Sequence, residues 1–397
     1  MHKAAAQRWN PVSAVLAFIG ACAAVSLPFL RVAPNRLMSG EPIDLLTVLQ
    51  GPSWPLLVLL LLVLLTPALR PTRTVLCTQG FTSLLLLAGL LWVAGRHASH
   101  MALIESPFAR TSLGSAFWVL LVVLWLMTVD ALQRLQVSLV VRLGVLAGAM
   151  GLVLLPLMAG MCDELSIMKE LSNQSEVFGP AVLRHVVIVL AAMVPTLCLG
   201  VPLGWWVCRS ARVRGALFPV LNIIQTIPSI ALFGLLMAPL ALMATAYPLL
   251  GRAGISGVGL APGVIALVLY SLLPVVRGTL AGLDQVPVAV REAARGMGMS
   301  PLQIFYRVDV PLALPVLLAG IRTATNQAIG LAAVTALIGA GGLGAIMFEG
   351  LFSSAHDLVL LGVLPIVALA VLADTAFKLL INLAQGPQTQ PLRGMPA

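Results

Sequence analysis

The stretch WPLLVLLLLVLLTPAL, Trp54 to Leu69, contains sixteen residues and no charge. Its recurrence along the chain decides the fold class. Apolar windows of this kind lie at about 11–30, 53–69, 75–95, 114–130, 141–161, 182–207, 216–243, 260–277, 314–337 and 357–383. Each approaches the roughly 20 residues that a helix needs to cross a hydrocarbon core about 30 Å thick. Lipid offers no partner to a bare N–H or C=O, so such spans are helices, which satisfy their own backbone. Charged residues make up 9% of the 397-residue chain and hydrophobic ones 60%, whereas a soluble domain carries about 25% charge. No water-facing surface can be made from that supply. The expected fold is an all-α integral membrane protein with about ten transmembrane helices. The formal net charge of +9 does not point to nucleic acid, because the basic residues are scattered between spans, as membrane orientation requires.

Lys and Arg favour cytoplasmic connections. An internal N-terminus assigns Lys3, Arg8, Arg70, Arg73, Arg134, Arg142, Arg209, Arg212, Arg214, Arg277, Arg291, Arg295, Arg307, Lys378 and Arg393 to the cytoplasm. That is most of the 23 basic residues; Arg322 stays within a span, and both termini are expected inside. Lys3, Arg8 and IGAC (Ile19–Cys22) faintly resemble a lipoprotein signal, but the apolar run continues to Leu30, so an uncleaved anchor is expected. The five cysteines, Cys22, Cys77, Cys162, Cys198 and Cys208, form no C-x-x-C pair and read as small apolar residues.

CDELSIMKELSNQSEVFGP, Cys162 to Pro180, is polar and acidic. It reads as an external connection, 162–180, with a short amphipathic helix along the surface. A five-span membrane extension, 1–161, precedes it and a second half, 181–397, follows.

The second half carries an unusual insert, VREAARGMGMSPLQIFYRVDVPLALP, at Val290–Pro315. Val290–Met297 favours helix, with Pro287 suited to its first turn. Gly298 stands where a helix ends in a left-handed residue. Ser300, Pro301 and Gln303 then form the signature of a capping box, and Pro311 and Pro315 are expected to stop the second helix. The product is a helix–turn–helix knob at about 284–315, with Phe305 and Tyr306 as apolar anchors. Glu292-Ala293-Ala294, Gly298 and Val308-x-Val310-Pro311 resemble the EAA loop of ABC-importer permeases. NIIQTIPSIALFGLL (Asn222–Leu236), ALVLYSLLPVVRGT (Ala266–Thr279) and LAGIRTATNQAIGLAAVTALIGAGGLG (Leu318–Gly344) resemble the glycine betaine/choline/osmoprotectant permeases, over about 180–383. A subgroup of that family carries an N-terminal multi-span extension.

The resemblance implies a permease in a bacterial inner membrane that moves solute inward by ATP-driven alternating access. It implies that the loop residues Glu292, Ala293, Ala294, Gly298, Ser300, Phe305, Val308 and Pro311 dock on ABC ATP-binding subunits. It also implies an external substrate-binding protein and pairing of two permeases, as a homodimer or with a second permease. No cofactor is expected on this chain, ATP being bound by the partner subunit. The residues agree. A phosphate-binding G-x-x-x-x-G-K-[ST] loop is impossible, because none of Lys3, Lys169 and Lys378 follows a glycine. Quaternary ammonium groups favour aromatic cages, and Trp205, Trp206, Tyr247, Tyr270 and Tyr306 are too scattered for one. High-affinity capture therefore belongs to a separate protein.

Polar residues on apolar helices mark a candidate path. Asn222, Gln225, Thr226 and Ser229 share a helical face on the seventh window, and Arg322, Thr325 and Asn326 share one on the ninth. With Tyr270 they are expected to face the bundle interior, as path lining or as interhelical glue. Arg322 is expected to reach back to Asp309, or to Glu292, and tie its helix to the knob. An importer of another small solute, such as an amino acid, is the nearest alternative, and a passive channel a more distant one. GISG (Gly254–Gly257) matches the motif of rhomboid-type intramembrane proteases, which would make Ser256 a nucleophile with His356 the later histidine. GAGGLG (Gly339–Gly344) follows a membrane helix and reads as a turn, and Arg96, His97 and His100 as a solvated loop without the ligands of a metal site.

Overall fold

In a computed structural model of the chain, residues 9 to 385 are described, apart from 36, 37, 39, 105, 107 and 253. Lys3, Arg8 and Arg393, used above for orientation, lie outside the described residues. The chain divides into two compact units, Met1–Asn173 and Gln174–Ala397.

The first unit runs α1 (Pro11–Ser26), β1 (Pro28–Ala33), β2 (Glu41–Asp44), α2 (Leu45–Val48), α3 (Trp54–Leu65), α4 (Arg73–Ile104), β3 (Arg110–Leu113), α5 (Ser115–Arg134), α6 (Leu139–Met158) and α7 (Ser166–Asn173). Phe29, Leu86, Leu120 and Met127 are buried in its core. A polar knot ties α1, α4 and α5 together. Asn10 Nδ2 donates to Asp130 at 2.5 Å, Gln79 Nε2 to Ser13 Oγ at 3.0 Å, and Arg134 to Asp130 at 3.1 Å and to Asn10 Oδ1 at 2.7 Å. Its donors and acceptors are matched, which a buried polar group requires.

Two features of this unit depart from the sequence reading. The first window is shorter than 11–30: α1 has 16 residues, and the chain enters an antiparallel sheet of order β2-β1-β3. The reason is Pro28, which forces Leu27 into extended geometry, φ −115° and ψ 146°. Of the acidic connection 162–180, Ser166–Asn173 forms the short helix α7, packed in this unit, whereas Ser175–Pro180 opens the next long helix, Ser175–Arg209. Glu170 is buried and pairs with Arg110 at 3.6 Å, and Lys169 pairs with Glu164 at 2.7 Å. All five cysteines are free.

The second unit comprises α8 (Ser175–Arg209), α9 (Ala211–Thr226), α10 (Ser229–Ala246), α11 (Pro248–Arg252), α12 (Leu260–Asp284), α13 (Val288–Gly296), α14 (Pro301–Ile304), α15 (Val310–Val334), α16 (Leu343–Phe352) and α17 (His356–Gln385). Helix α12 is the central element, with 61% of its apolar window buried, and it packs chiefly on α8 and α15. Small residues allow the approach: a Cβ built on Gly278 would sit 2.8 Å from Gly320 Cα on α15, and one on Gly200 2.8 Å from the Val275 side chain. Close backbone contact of this kind replaces the hydrophobic drive that lipid cannot supply.

Among the described residues, nine helical segments are long and apolar enough to cross a membrane, and α1 and α16 are shorter apolar helices. The seventh window is not one span. It breaks at Ile227–Pro228, both extended, into α9 and α10, again because the residue before a proline is pushed out of the helical region.

Candidate functional site

The knob is built by local rules. Helix α13 ends at Gly296, and Gly298 has φ +78°. Gly298 N–H donates to Arg295 O at 2.9 Å and Met299 N–H to Ala294 O at 3.1 Å, the paired bonds of a Schellman turn. A Cβ on Gly298 would meet nothing within 4 Å, so backbone conformation alone requires glycine here. Ser300 then opens α14 with a complete capping box: its Oγ accepts from Gln303 N at 3.3 Å and its N–H donates to Gln303 Oε1 at 2.8 Å.

The two prolines do not stop the second helix. From Pro301 the chain stays helical to Ile338, with a π-helical turn at Phe305–Asp309. Val310 N–H bonds Phe305 O, five residues back, just where Pro311 brings no N–H of its own. Pro311 opens α15 and Pro315 lies inside it. The knob is therefore continuous with a membrane helix.

Its attachment depends on a residue the sequence reading used only for orientation. Arg291 Nε donates to Asp309 Oδ1 at 2.6 Å and its NH2 to Leu283 O at 3.0 Å, joining α13 to the end of α12 and the start of α15. Gln285 Nε2 adds a bond to Leu312 O at 2.9 Å. Of the EAA-like residues, Glu292 and Ala293 are exposed, while Ala294 is buried and its carbonyl closes the turn. Phe305 is not a free anchor: it packs edge-on against Trp205 of α8, ring centres 6.3 Å apart, and Arg209 stacks on Trp205 at 4.2 Å. Val308 is half-buried and Pro311 exposed. The knob exposes four large apolar residues, Val288, Met297, Leu302 and Tyr306, each more than 60% exposed, and Glu292 is exposed as well.

Asn222, Gln225 and Thr226 end α9, whereas Ser229 begins α10, so the four do not share one helical face. The break is bridged to α12. Gln225 Nε2 donates to the Tyr270 carbonyl at 2.6 Å, and the Tyr270 hydroxyl donates to the Ile227 carbonyl that the break leaves free. Asn222 Oδ1 accepts from Arg277 at 2.7 Å. Thr226 bonds Ile223 O at 2.7 Å and Thr325 bonds Ile321 O at 2.9 Å, each within its own helix.

Arg322 does not reach Asp309 or Glu292. Its Nε donates to Asp374 of α17. Asp374 also takes Lys378 at 2.8 Å and Asn326 Nδ2 at 3.2 Å. A carboxylate on the adjacent helix pairs with the guanidinium within the bundle, as a charged side chain among apolar spans requires. Asp309 is already held by Arg291. Asp374 is legible as an acid inside the last apolar window, but its pairing is not, because it lies 52 residues beyond Arg322.

The rival motifs lack their chemistry. Ser256 Oγ donates to Val258 O at 2.5 Å, two residues away, with no histidine at that bond. GAGGLG is a turn between helices, where Gly344 packs on Ala333.

Residues 198–383 match the family described as binding-protein-dependent transport system inner membrane component. Residues 8–168 match one described as the N-terminal domain of ABC transporter permease YehY. The osmoprotectant import permease protein OsmW of Salmonella typhimurium is 41% identical over 191 residues, 48% of this chain and 84% of that protein. The choline transport system permease protein OpuBB of Bacillus subtilis is 37% identical, over 48% of this chain and 81% of that protein. The ergothioneine transport permease/ergothioneine binding protein EgtU of Helicobacter pylori is 39% identical, over 45% of this chain and 29% of that protein. The inward-facing MetNI methionine ABC transporter is a weaker likeness, at 21% identity and TM-score 0.45 over 53% of this chain and 98% of that one. The chain thus belongs to the binding-protein-dependent ABC importer permeases, with osmoprotectant permeases among its relatives, and is the membrane-spanning permease subunit of such an importer.

Proposed function

We propose that this permease imports small quaternary-ammonium osmoprotectants, such as glycine betaine or choline, by ATP-driven alternating access. Relatives named for osmoprotectant, choline and carnitine transport support that substrate class. The observation that carries the mechanism is the exposed apolar surface of the knob, from α13 to the π-helical turn, fastened by Arg291–Asp309 to the root of α15. ATP is bound and hydrolysed on partner subunits that grip this surface, with Glu292 and Ala293 at the contact. Two permeases, as a homodimer or with a second permease, pair across the membrane, and an external binding protein delivers the solute. Both termini and the knob face the cytoplasm. Closure of the ATPases moves the knob, and α15 carries the motion to α17 through Arg322 and Asp374. The α9–α10 break, with Gln225, Ser229 and Tyr270, and the Thr325–Asn326 face of α15 line the path. The likeness to EgtU, named for ergothioneine transport, keeps ergothioneine as a second reading.

The test is reconstitution of the chain with its ATPase and binding protein in proteoliposomes, with ATP inside. Uptake of labelled glycine betaine or choline that needs ATP and the binding protein is the expected result. Flux without ATP, or ATP-driven uptake confined to another solute class, overturns the proposal.

A further inference from the structure

An open apolar groove of about 520 Å³ runs between α3, α4 and α6 of the first unit, lined by Leu56, Leu59, Leu85, Gly89, Trp92 and Leu155. Glycine makes part of the room: a Cβ on Gly89 would overlap Leu56. Helix α6, its third wall, has 0% of its apolar window buried. On α4 the lining residues Leu85, Ala88, Gly89 and Trp92 follow one helical stripe. The next residue on that stripe is Arg96, exposed, with its guanidinium 5.5 Å from the Trp92 ring centre.

The depth of this stripe can be placed. Arg73 and Arg96 lie 23 residues apart on α4, about 35 Å at 1.5 Å per residue, slightly more than a hydrocarbon core of about 30 Å. The two cations therefore bracket the core, with the midplane near Leu85. From Leu85 to Arg96 is about 16 Å, the depth of one leaflet. Trp92, one turn inside Arg96, takes the interfacial position that tryptophan favours. On α4 the groove runs from Leu85 to Trp92, about 10 Å, and Arg96 lies one turn beyond its end. An apolar groove through most of one leaflet with a cation just above it has the polarity profile of a phospholipid: acyl chain below, phosphate above.

We propose that this groove holds one phospholipid, its acyl chain between α3, α4 and α6 and its phosphate on Arg96. The site glues α6 to a unit against which it otherwise packs little. The charge complementarity at Arg96 selects a phosphate-bearing lipid over a neutral one.

Native mass spectrometry of the full chain in detergent tests this, with phosphatidylglycerol and diacylglycerol as probes. One phosphatidylglycerol should be retained, and diacylglycerol should bind weakly. Arg96→Gln should weaken phosphatidylglycerol about fivefold, the factor for losing one interfacial cation–anion attraction, and leave diacylglycerol unchanged. Ala88→Phe, which fills the groove, should remove both; Leu155→Trp fills it from the opposite wall if the first variant does not fold. Equal retention of the two lipids, or an unaffected Arg96→Gln, overturns the phosphate assignment. Retention unchanged in the filled variants overturns the groove. A filled variant that alters oligomeric state without altering lipid count shows the groove to be a protein interface and refutes the proposal.

Discussion

Gly298 tests whether the knob acts through its backbone geometry. Its φ of +78° lies in the left-handed region, which costs an L-residue about 1–2 kcal/mol and a β-branched residue more. Nothing lies within 4 Å of a Cβ built there, so no packing term masks the conformational one. Gly298→Val should therefore spare membrane insertion but depopulate the turn between α13 and α14. A loss of at least about 1–2 kcal/mol lowers the ratio of formed to unformed turn by a factor of about 5–30 or more, and coupled uptake should fall by at most the corresponding factor. Gly298→Asn is the control, because asparagine tolerates left-handed geometry; Gly298→Ala should fall between. The assay is ATP-coupled uptake in proteoliposomes, normalised to inserted protein, with co-purified ATPase quantified on the same samples. A Val variant with full uptake refutes the argument. Asn and Val variants equally impaired refute it too, since side-chain volume at the contact, rather than φ, would then be decisive.

Arg322→Gln and Asp374→Asn should each lower coupled uptake, and a double-mutant cycle on thermal stability should show a coupling of about 1 kcal/mol; additive losses would remove the proposed link between α15 and α17. Tyr270→Phe leaves the Ile227 carbonyl without its hydroxyl donor, so uptake should drop while ATPase binding persists; unchanged uptake would relegate the bond to helix glue. Glu292 is exposed, so Glu292→Lys should leave thermal stability unchanged and abolish co-purification of the ATPase; retained co-purification would count against the docking role. Truncation before Gln174 removes a unit with its own core, and the remainder should keep part of its transport; an inserted, ATPase-bound truncation with no uptake would place the first unit in the path.

The sequence by itself determined the membrane class and the turn chemistry of the knob. Both are local: a span is a run of apolar residues, and a Schellman turn or a capping box is complete within about six residues. Gly298, Ser300 and Gln303 were legible for that reason. What failed locally was the reach of proline. At Pro28 and Pro228 it ended helices inside apolar windows, yet at Pro311 a π-helical turn absorbed it and the helix ran on. Only the tertiary structure decided the pairings. Arg291 with Asp309, Tyr270 with Ile227 and Arg322 with Asp374 lie 18, 43 and 52 residues apart. Which faces of two helices meet depends on small residues such as Gly278 and Gly320 that let the backbones approach. Helical period tells which residues share a face, but not which other helix that face will touch, because in lipid packing rather than apolarity selects the neighbour.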